Sequence, residues 1–299
     1  MKALVTGSSG FVGRELVAHL AAAGDEVVGL DRAAGADVTD GTAIRDLLAR
    51  HRPAAVYHLA AVSHIGTSWS VPAQVFRVNA EGTLNVLLAA RDAGVERVLV
   101  VGSADEYGVV DDAALPLGED APLRPITPYG ASKVAAEYLG LQAFLGDGLG
   151  VIRVRAFNHT GARQAENFFV PALARRIAAA EREGRKEAPV GSLEPVRDFL
   201  DVADVVTAYR LLVEHGTPGE VYNVCSGVGR SVAAIAEALL SMARHAIELV
   251  PDPALIRPVD VPRLVGDNTR LRTATGWSAT VAFDDTLAAI LTRWRNEAL

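Results

Sequence analysis

Short apolar runs alternate with helical patterns along the first half of the chain. The first run covers residues 2–6, and a pattern with apolar positions at Leu16, Val17 and Leu20 follows it. Apolar positions spaced three and four residues apart indicate a helix with one buried face. A second strand-like run covers residues 26–30. The chain therefore begins with a strand, a helix and a second strand.

The alternation continues to about residue 157. Further strands are predicted at 54–61, 97–102 and 150–155, and helices at 72–93 and 128–145. This order predicts a Rossmann-type α/β fold with a doubly wound parallel sheet. Four residues come just after predicted strands: Gly7, Ala60, Ser103 and Asn158. Because ligands of such sheets bind beyond the carboxyl ends of the strands, all four should face one crevice.

The second half of the chain follows a different pattern. Helices are predicted at 168–183, 203–214, 231–243 and 283–294, and a strand-like run covers 196–202. The pattern predicts a smaller, interleaved C-terminal α/β domain that closes over the crevice and binds substrate. The predicted first domain covers 1–157, with about 196–222 returning to it, and the cap domain covers 158–195 and 223–299.

Composition and charge narrow the range of functions. Half of the 299 residues are hydrophobic, 22% are charged and the net charge is −7, a mixture typical of globular domains. The absence of a basic cluster argues against nucleic-acid binding. No apolar run is long enough for a membrane span, and the start does not resemble a signal peptide, so a cytoplasmic protein is expected. The single cysteine, Cys225, ends an apolar run, which favours a buried structural role over a catalytic thiol.

A glycine-rich turn joins the first strand to the first helix. It contributes the predicted cofactor-binding residues Gly7, Ser9, Gly10, Phe11, Val12 and Gly13. Glycines in this position allow a tight turn and a close approach to a pyrophosphate, and the helix N-terminus offers free N–H groups. A turn without a ligand is the alternative. The strand–turn–helix–strand context favours a dinucleotide site.

An acidic residue ends the second strand. Asp31 stands where a carboxylate binds the ribose 2′-hydroxyl of NAD and repels the 2′-phosphate of NADP. Arg32 follows and is suited to that phosphate, so both NAD(H) and NADP(H) are considered, with NAD(H) slightly favoured. Asp37 and Val38 are expected near the adenine.

Tyr129 and Lys133 form a candidate acid/base pair. They are four residues apart in a predicted helix, which places both side chains on one face. A phenol with an ordinary pKa of about 10 is a poor proton carrier near neutrality, and an adjacent ammonium lowers that pKa. A surface pair without a role is the alternative, because this spacing is common by chance.

The chain resembles the extended short-chain dehydrogenase/reductase family, also called the NAD-dependent epimerase/dehydratase family. The resemblance runs nearly end to end and is carried by these motifs: the run from Thr6 to Gly13, His58-Leu59-Ala60-Ala61, Asn79 with Gly82-Thr83 and Asn85, Tyr129 with Lys133, and Arg197-Asp198-Phe199. It implies a nicotinamide dinucleotide and a nucleotide-sugar substrate. It also implies that Leu59, Ala60, Ala61 and Asn79 contact the cofactor together with Tyr129 and Lys133.

Motifs in the second half resemble the branch that acts on GDP-mannose and its 4-keto-6-deoxy derivative. They are the runs 157–161, 219–227 and 257–277. The short segment after Asp31 favours the reductases of this branch over the dehydratases. The expected function is NAD(P)H-dependent reduction of the C4 keto group of GDP-4-keto-6-deoxy-D-mannose to a GDP-rhamnose-type product. A GDP-mannose 4,6-dehydratase or a nucleotide-sugar 4-epimerase with tightly bound NAD(P) is the alternative, and a non-catalytic dinucleotide sensor is the rival from another class.

The resemblance also assigns roles at the reacting centre. Ser103 would bond the reacting sugar oxygen, Tyr129 would donate the proton to it, and Lys133 would lower the Tyr129 pKa and hold the nicotinamide ribose. Dehydratases of the family carry a Glu two residues after the Ser/Thr. Asp105 stands there and is one methylene shorter, which weakens that alternative but keeps Asp105 as a catalytic candidate.

The remaining expectations concern substrate, metal and assembly. The candidates for substrate binding are Ser63, Ser103, Asn158, Arg197 and Arg257. Arginine binds phosphate in bidentate fashion, although either arginine could instead form a salt bridge. His64 and His159 are interpreted as supporting residues, and no metal site is expected. The resemblance implies a homodimer joined by a four-helix bundle from residues 72–93 and 128–145.

Overall fold

The computed structural model describes residues 1–32, 35–255 and 261–297. Its strands are β1 (Lys2–Thr6), β2 (Glu26–Leu30), β3 (Ala55–His58), β4 (Arg97–Val101), β5 (Val151–Ala156), β6 (Asn158–Thr160), β7 (Glu187–Val190), β8 (Val196–Asp201), β9 (Val221–Val224), β10 (Gly229–Ser231), β11 (Glu248–Pro251) and β12 (Arg263–Leu264). Its α-helices are α1 (Phe11–Ala22), α2 (Gly41–His51), α3 (Ile65–Ser70), α4 (Pro72–Phe76), α5 (Gly82–Asp92), α6 (Pro128–Asp147), α7 (Phe169–Glu183), α8 (Val202–His215), α9 (Val232–Ser241), α10 (Thr269–Thr275) and α11 (Phe283–Asn296).

Six strands form one parallel sheet in the order β2-β1-β3-β4-β5-β9. The chain moves outward in one direction from β1 to β2 and in the other from β3 to β9. The gap between the carboxyl ends of β1 and β3 is therefore the switch point where such sheets bind ligands. The prediction of a doubly wound Rossmann-type fold is confirmed.

Helices cover both faces of this sheet and form two cores. On one face, Leu16 and Leu20 of α1 pack with Tyr209 and Leu212 of α8. The core of the other face is made by helices α2, α5 and α6, through residues such as Ile44, Leu48, Val86, Ala90 and Ala143. The strands between them are apolar along their length because both of their faces are buried.

A second region is built around β8, which pairs with β6, β10 and β12. Helices α7, α9 and α11 pack together in a separate core, and β7 pairs with β11. Residues 196–201 lie in this smaller sheet, so the return to the large sheet is made by α8 and β9 rather than from residue 196. The exact domain boundaries stay a prediction.

The helix predicted over 72–93 contains a wide turn. Helices α4 and α5 are joined without a break by a π-helical turn at Arg77–Glu81. Such turns insert one extra residue into a helix and are frequent near functional sites. The turn carries Asn79, whose buried side chain reaches back toward the carboxyl end of β3.

Candidate active site

The glycine-rich turn forms one wall of the crevice. A Cβ atom at Gly13 would lie 2.1 Å from the Gly7 carbonyl oxygen, so only glycine allows α1 to start this close to the turn. Gly7 N–H donates to the Leu30 carbonyl over 2.7 Å, which joins the turn to the end of β2. Helix α1 then begins at Phe11 and directs its free N–H groups at the crevice. This geometry fits a pyrophosphate.

Acidic residues lie at the far end of the turn. Asp31 accepts a hydrogen bond from the Ser8 hydroxyl over 2.9 Å, which holds its carboxylate beside the glycine turn. Asp37 accepts from both the backbone N–H and the hydroxyl of Thr39, over 2.9 and 2.8 Å, and these bonds lower the pKa of Asp37. Both carboxylates are thus fixed at the end where the cofactor's ribose and adenine are expected.

A cavity of about 760 Å³ runs along the carboxyl ends of the central strands. Most residues predicted from the sequence line it together: Gly7, Ser9, Gly10, Phe11, Val12, Gly13, Asp31, Arg32, Asp37, Val38, Leu59, Ala60, Ala61, Ser63, Ser103, Asp105, Tyr129, Lys133 and Asn158. The size suits a dinucleotide with part of a second ligand.

Tyr129 and Lys133 project from the first two turns of α6. Thr127 caps this helix by accepting from Gly130 N–H over 2.9 Å, and Pro128 occupies its first position. The Lys133 ammonium lies 5.9 Å from the centre of the Tyr129 ring and donates to the Val101 carbonyl over 2.8 Å. The two side chains therefore share the cavity wall next to the end of β4.

Burial controls the protonation of this pair. It lowers the pKa of Lys133 to about 8. It raises the pKa of Tyr129 above its ordinary value, and the nearby carboxylate of Asp105 adds to the rise. In the protein alone the expected lowering of the Tyr129 pKa by Lys133 is not seen, because removal of the phenol from water has the largest effect and raises the pKa. Tyr129 is therefore a firmly protonated donor near neutral pH.

Ser103 lies at the end of β4, across from Tyr129. Its hydroxyl accepts from the Asp105 N–H over 3.1 Å and donates to the Asp105 carboxylate over 3.0 Å. Both residues line the cavity. Asp105 is thus placed among the reacting groups, and the serine hydroxyl is held in one rotamer.

Among the described residues, two of the predicted ones do not line the cavity, Asn79 and Arg197. Asn79 lies behind it, where its side chain bonds both backbone groups of Val62 and the Ser132 hydroxyl. Its amide groups are all hydrogen-bonded within the protein, and they hold Val62, which lines the cavity, in place. Arg197 donates to the carbonyls of Val196 and Pro262. Arg257 falls outside the described residues.

Sequence reasoning missed several lining residues. They include Val62, Ile65, Val101, Gln164, Asn167, Phe168 and Tyr209. His64 and His159 also line the cavity, although the sequence suggested only supporting roles. His159 stacks on Phe11, with ring centres 6.4 Å apart, and His64 meets Phe168 edge to face at 6.2 Å. Polar residues just before α7 were the available signal, since that loop follows a strand end.

Cys225 is buried and unpaired, and burial raises the pKa of its thiol well above the ordinary value. A buried neutral thiol is a poor nucleophile. Among residues 1–32, 35–255 and 261–297, no group of His, Cys, Asp and Glu is arranged to hold a metal ion. None of the helices in the same ranges is long and apolar enough to cross a bilayer.

A doubly wound sheet, a glycine turn at its switch point and a buried Tyr–Lys pair define a dinucleotide-binding oxidoreductase. The chain belongs to the NAD dependent epimerase/dehydratase family, whose model matches residues 3–225. The resemblance to the extended short-chain dehydrogenase/reductase family, the expected enzyme class and NAD(P) dependence are confirmed.

Individual proteins are similar over the whole chain. GDP-6-deoxy-D-mannose reductase of Pseudomonas aeruginosa is 39% identical, covering 98% of this chain and 96% of the relative. The structure of RMD from Pseudomonas aeruginosa complexed with NADPH has a TM-score of 0.91 at 38% identity, with 98% of each chain covered. UDP-glucose 4-epimerase of Thermus thermophilus, in complex with NAD, has a TM-score of 0.88 at 30% identity, with 100% of each chain covered.

Proposed function

We propose that this chain is an NAD(P)H-dependent reductase of a nucleotide sugar, and that it reduces the C4 keto group of GDP-4-keto-6-deoxy-D-mannose to a GDP-rhamnose-type product. The observation that carries the proposal is the convergence of Ser103, Tyr129 and Lys133 on one cavity wall beside the glycine turn. Full-length similarity to GDP-6-deoxy-D-mannose reductase supports the choice of sugar.

The roles of the residues follow from their protonation. The dinucleotide, held along the turn from Gly7 to Gly13, supplies the hydride when bound. Tyr129 keeps its proton near neutral pH and donates it to the C4 oxygen, where negative charge develops. Lys133 places a positive charge beside the phenol, which stabilises the phenolate left after proton transfer. Ser103 donates to the same oxygen once its hydroxyl proton turns from Asp105 to the bound sugar.

Substrate-binding roles for four other residues are part of this proposal. Asn158 and Ser63 line the cavity and supply hydrogen-bonding groups for the sugar. Arg197 and Arg257 are assigned to the diphosphate, since guanidinium groups bind phosphate oxygens in pairs. Arg197 donates to two carbonyls through Nη1, and a bound diphosphate would share the guanidinium with them.

A 4,6-dehydratase is the second candidate, and Asp105 is the observation that favours it. Its carboxylate lines the cavity close to Ser103, where a dehydratase needs an additional acid/base group. Ala104 beside it is buried and carries no chemistry. Because Asp105 is bonded to the serine hydroxyl, we assign it to orienting Ser103 in a reductase.

We also propose a homodimer in the cytoplasm. Large apolar side chains are exposed on the predicted bundle helices: Phe76, Tyr138 and Leu145 are 41%, 56% and 72% exposed. Trp69, on the short helix α3 just before the first of them, is 52% exposed. A bundle formed with a second copy would cover them. The buried, unpaired Cys225 is compatible with a reducing compartment.

The experiment follows the absorbance of reduced nicotinamide when the protein meets NADPH or NADH and GDP-4-keto-6-deoxy-D-mannose. A sustained, stoichiometric loss that falls about 10²–10⁴-fold in Tyr129→Phe supports the reductase. Conversion of GDP-mannose to a 4-keto sugar without added cofactor would show that the protein is a dehydratase and not a reductase. If neither assay shows activity while the protein still binds the dinucleotide, a non-catalytic sensor or a sugar substrate with another nucleotide base would be favoured.

A further inference from the structure

Two buried carboxyl groups lie directly behind the catalytic crevice. Glu106 follows Ser103 by three residues and is fully buried, and Glu137 follows Lys133 by four residues on α6 and is 2% exposed. Neither residue is needed for the roles described so far. Burial of a carboxylate is costly unless it is paired with a cation or hydrogen-bonded, so their partners decide what these groups do.

Glu137 has a full set of cationic donors. One of its oxygens accepts from Arg153 over 3.2 Å and from Arg155 Nη2 over 2.7 Å, and the other accepts from Arg155 Nε over 2.8 Å. The Nη1 group of Arg155 is used elsewhere, by the Tyr107 hydroxyl and the Glu119 carbonyl. These bonds lower the pKa of Glu137 and hold it as a carboxylate.

Glu106 has fewer hydrogen-bond donors than Glu137. Its Oε1 accepts the backbone N–H of Ser103 over 2.7 Å, but its Oε2 has no hydrogen-bond partner among the described residues. The nearest cationic nitrogen, Arg155 Nε, is 3.8 Å away and already donates to Glu137. A proton on Oε2 resolves this, because the oxygen then donates to the carboxylate of Glu137. In agreement, burial and the charge of Glu137 raise the pKa of Glu106 well above its ordinary value.

The Glu106 carboxyl is built into the end of β4. A Cβ atom at Gly102 would lie 2.3 Å from Glu106 Oε1, so the glycine leaves the space that the carboxyl occupies. The bond to Ser103 N–H closes the short 3-10 turn Ala104–Glu106 that positions the Ser103 hydroxyl. The titratable groups of the crevice that face this carboxyl are Lys133, whose pKa an ionised Glu106 would raise, and Tyr129.

We propose that Glu106 is a positioning residue, a neutral acid bonded between the Ser103 backbone and the Glu137 carboxylate, that fixes the Ser103 hydroxyl for reaction at the sugar oxygen. This inference rests on the proposed reductase function. A neutral Glu106 also leaves the Lys133 charge uncompensated, so that this charge acts on Tyr129 and the ribose. An ionised Glu106 would instead attract the Lys133 ammonium and weaken its effect on Tyr129 and the ribose.

Two substitutions at one position separate a neutral acid from a carboxylate. In Glu106→Gln the amide oxygen accepts from Ser103 N–H and the amide nitrogen donates to Glu137, so kcat should stay within about threefold of the wild type and the alkaline limb of its pH profile should not move. In Glu106→Leu both bonds are lost, so kcat should fall about 100-fold while the Kd for NADPH is unchanged. An equal loss of kcat in both variants, or no loss in Glu106→Leu, would overturn the proposal.

Glu119 provides the matched control. It is also buried and also accepts a backbone N–H, that of Asn223 over 2.8 Å, but it does not line the cavity. Glu119→Leu should lower stability and leave kcat within about threefold, since Glu119 neither lines the cavity nor contacts Ser103. A loss of kcat in Glu119→Leu as large as in Glu106→Leu would mean that any damage to this network slows the reaction, and the positioning role would be withdrawn.

Infrared spectroscopy tests the protonation state without any substrate. The wild type at pH 7 should show the carbonyl stretch of a protonated carboxylic acid that is missing from Glu106→Gln. Absence of a difference would show that Glu106 is ionised and would overturn the proposal. If the wild type fails to reduce the GDP-sugar, the proposed function is at fault, and the infrared result still decides the state of Glu106.

Discussion

The hydroxyl of Ser103 donates to the carboxylate of Asp105 over 3.0 Å and accepts from the backbone N–H of Asp105 over 3.1 Å. A hydroxyl has one proton to donate, and here it is directed at Asp105. Before the sugar binds, the hydroxyl of Tyr129 is therefore the donor available to a substrate carbonyl oxygen. Asp105 sets the orientation of the Ser103 hydroxyl toward that oxygen.

Substitution of Asp105 distinguishes orientation from acid/base chemistry. Asp105→Asn keeps a carbonyl oxygen that accepts from Ser103, so reductase kcat should fall less than about threefold, whereas Asp105→Ala should lose about tenfold, in line with one hydrogen bond of about 1–1.5 kcal/mol. Steady-state oxidation of NADPH measures both. A loss in Asp105→Asn of several hundredfold would instead identify Asp105 as a proton-transfer group, as a dehydratase requires.

The decline of kcat/KM at high pH should follow the deprotonation of Lys133. Its pKa is lowered to about 8 by burial, whereas the Tyr129 pKa is raised. The lysine is charged below pH 8 and neutral above it, so kcat/KM should decline as the pH rises through about 8. This is measured as kcat/KM for the sugar between pH 6 and pH 10, at saturating NADPH and low sugar concentration.

Lys133→Arg provides the control for that assignment. A guanidinium stays charged throughout this pH range, so the residual activity of the variant should show no decline near pH 8, even if a bulkier side chain lowers its absolute rate. A limb that remains near pH 8 in this variant would belong to another group. The dinucleotide Kd of the variant, measured in parallel, separates lost binding from lost chemistry.

The sequence predicted those parts of the site whose signal is local. The glycine turn and the Tyr129–Lys133 spacing each lie within a few residues, and the alternation of strands and helices predicts the doubly wound sheet. Glu106 was seen only as an acid displaced by one position from the expected Glu, because its role depends on Glu137 of α6 and Arg155 of β5. Such partners are brought together by the fold and leave no spacing signal.

The position of Asn79 behind the cavity wall has a similar physical cause. Its local pattern is that of an ordinary helix, and nothing in the sequence shows the π-helical turn that rotates it inward. Its partner Ser132 is 53 positions further along the chain. The resemblance therefore identified a residue important to the site, while its place behind the cavity wall became visible only in the structure.

Cofactor choice should depend on Asp31. Its carboxylate, held by Ser8, repels a 2′-phosphate, so Asp31→Ser should improve the ratio of kcat/KM for NADPH over NADH at least about tenfold. Arg32→Ala should shift the ratio in the opposite direction. Asp40→Asn is the control, because Asp40 caps α2 outside the cavity, and its substitution should leave the ratio unchanged. An unchanged ratio in Asp31→Ser would remove Asp31 from the cofactor site.

Acid should destabilise the protein through His58. Its ring is buried between the hydroxyls of Thr6 and Thr83, at 2.8 and 2.9 Å, and burial lowers its pKa to about 3. The unfolded chain protonates this histidine near pH 6.5 and the folded chain does not, so stability present above pH 6.5 is lost as the pH falls. The loss between pH 7 and pH 5 should be about 2 kcal/mol, measured by urea unfolding at both pH values. His58→Gln should remove that part of the slope and exposed His215→Gln should not; an unchanged slope in His58→Gln would place the acid sensitivity elsewhere.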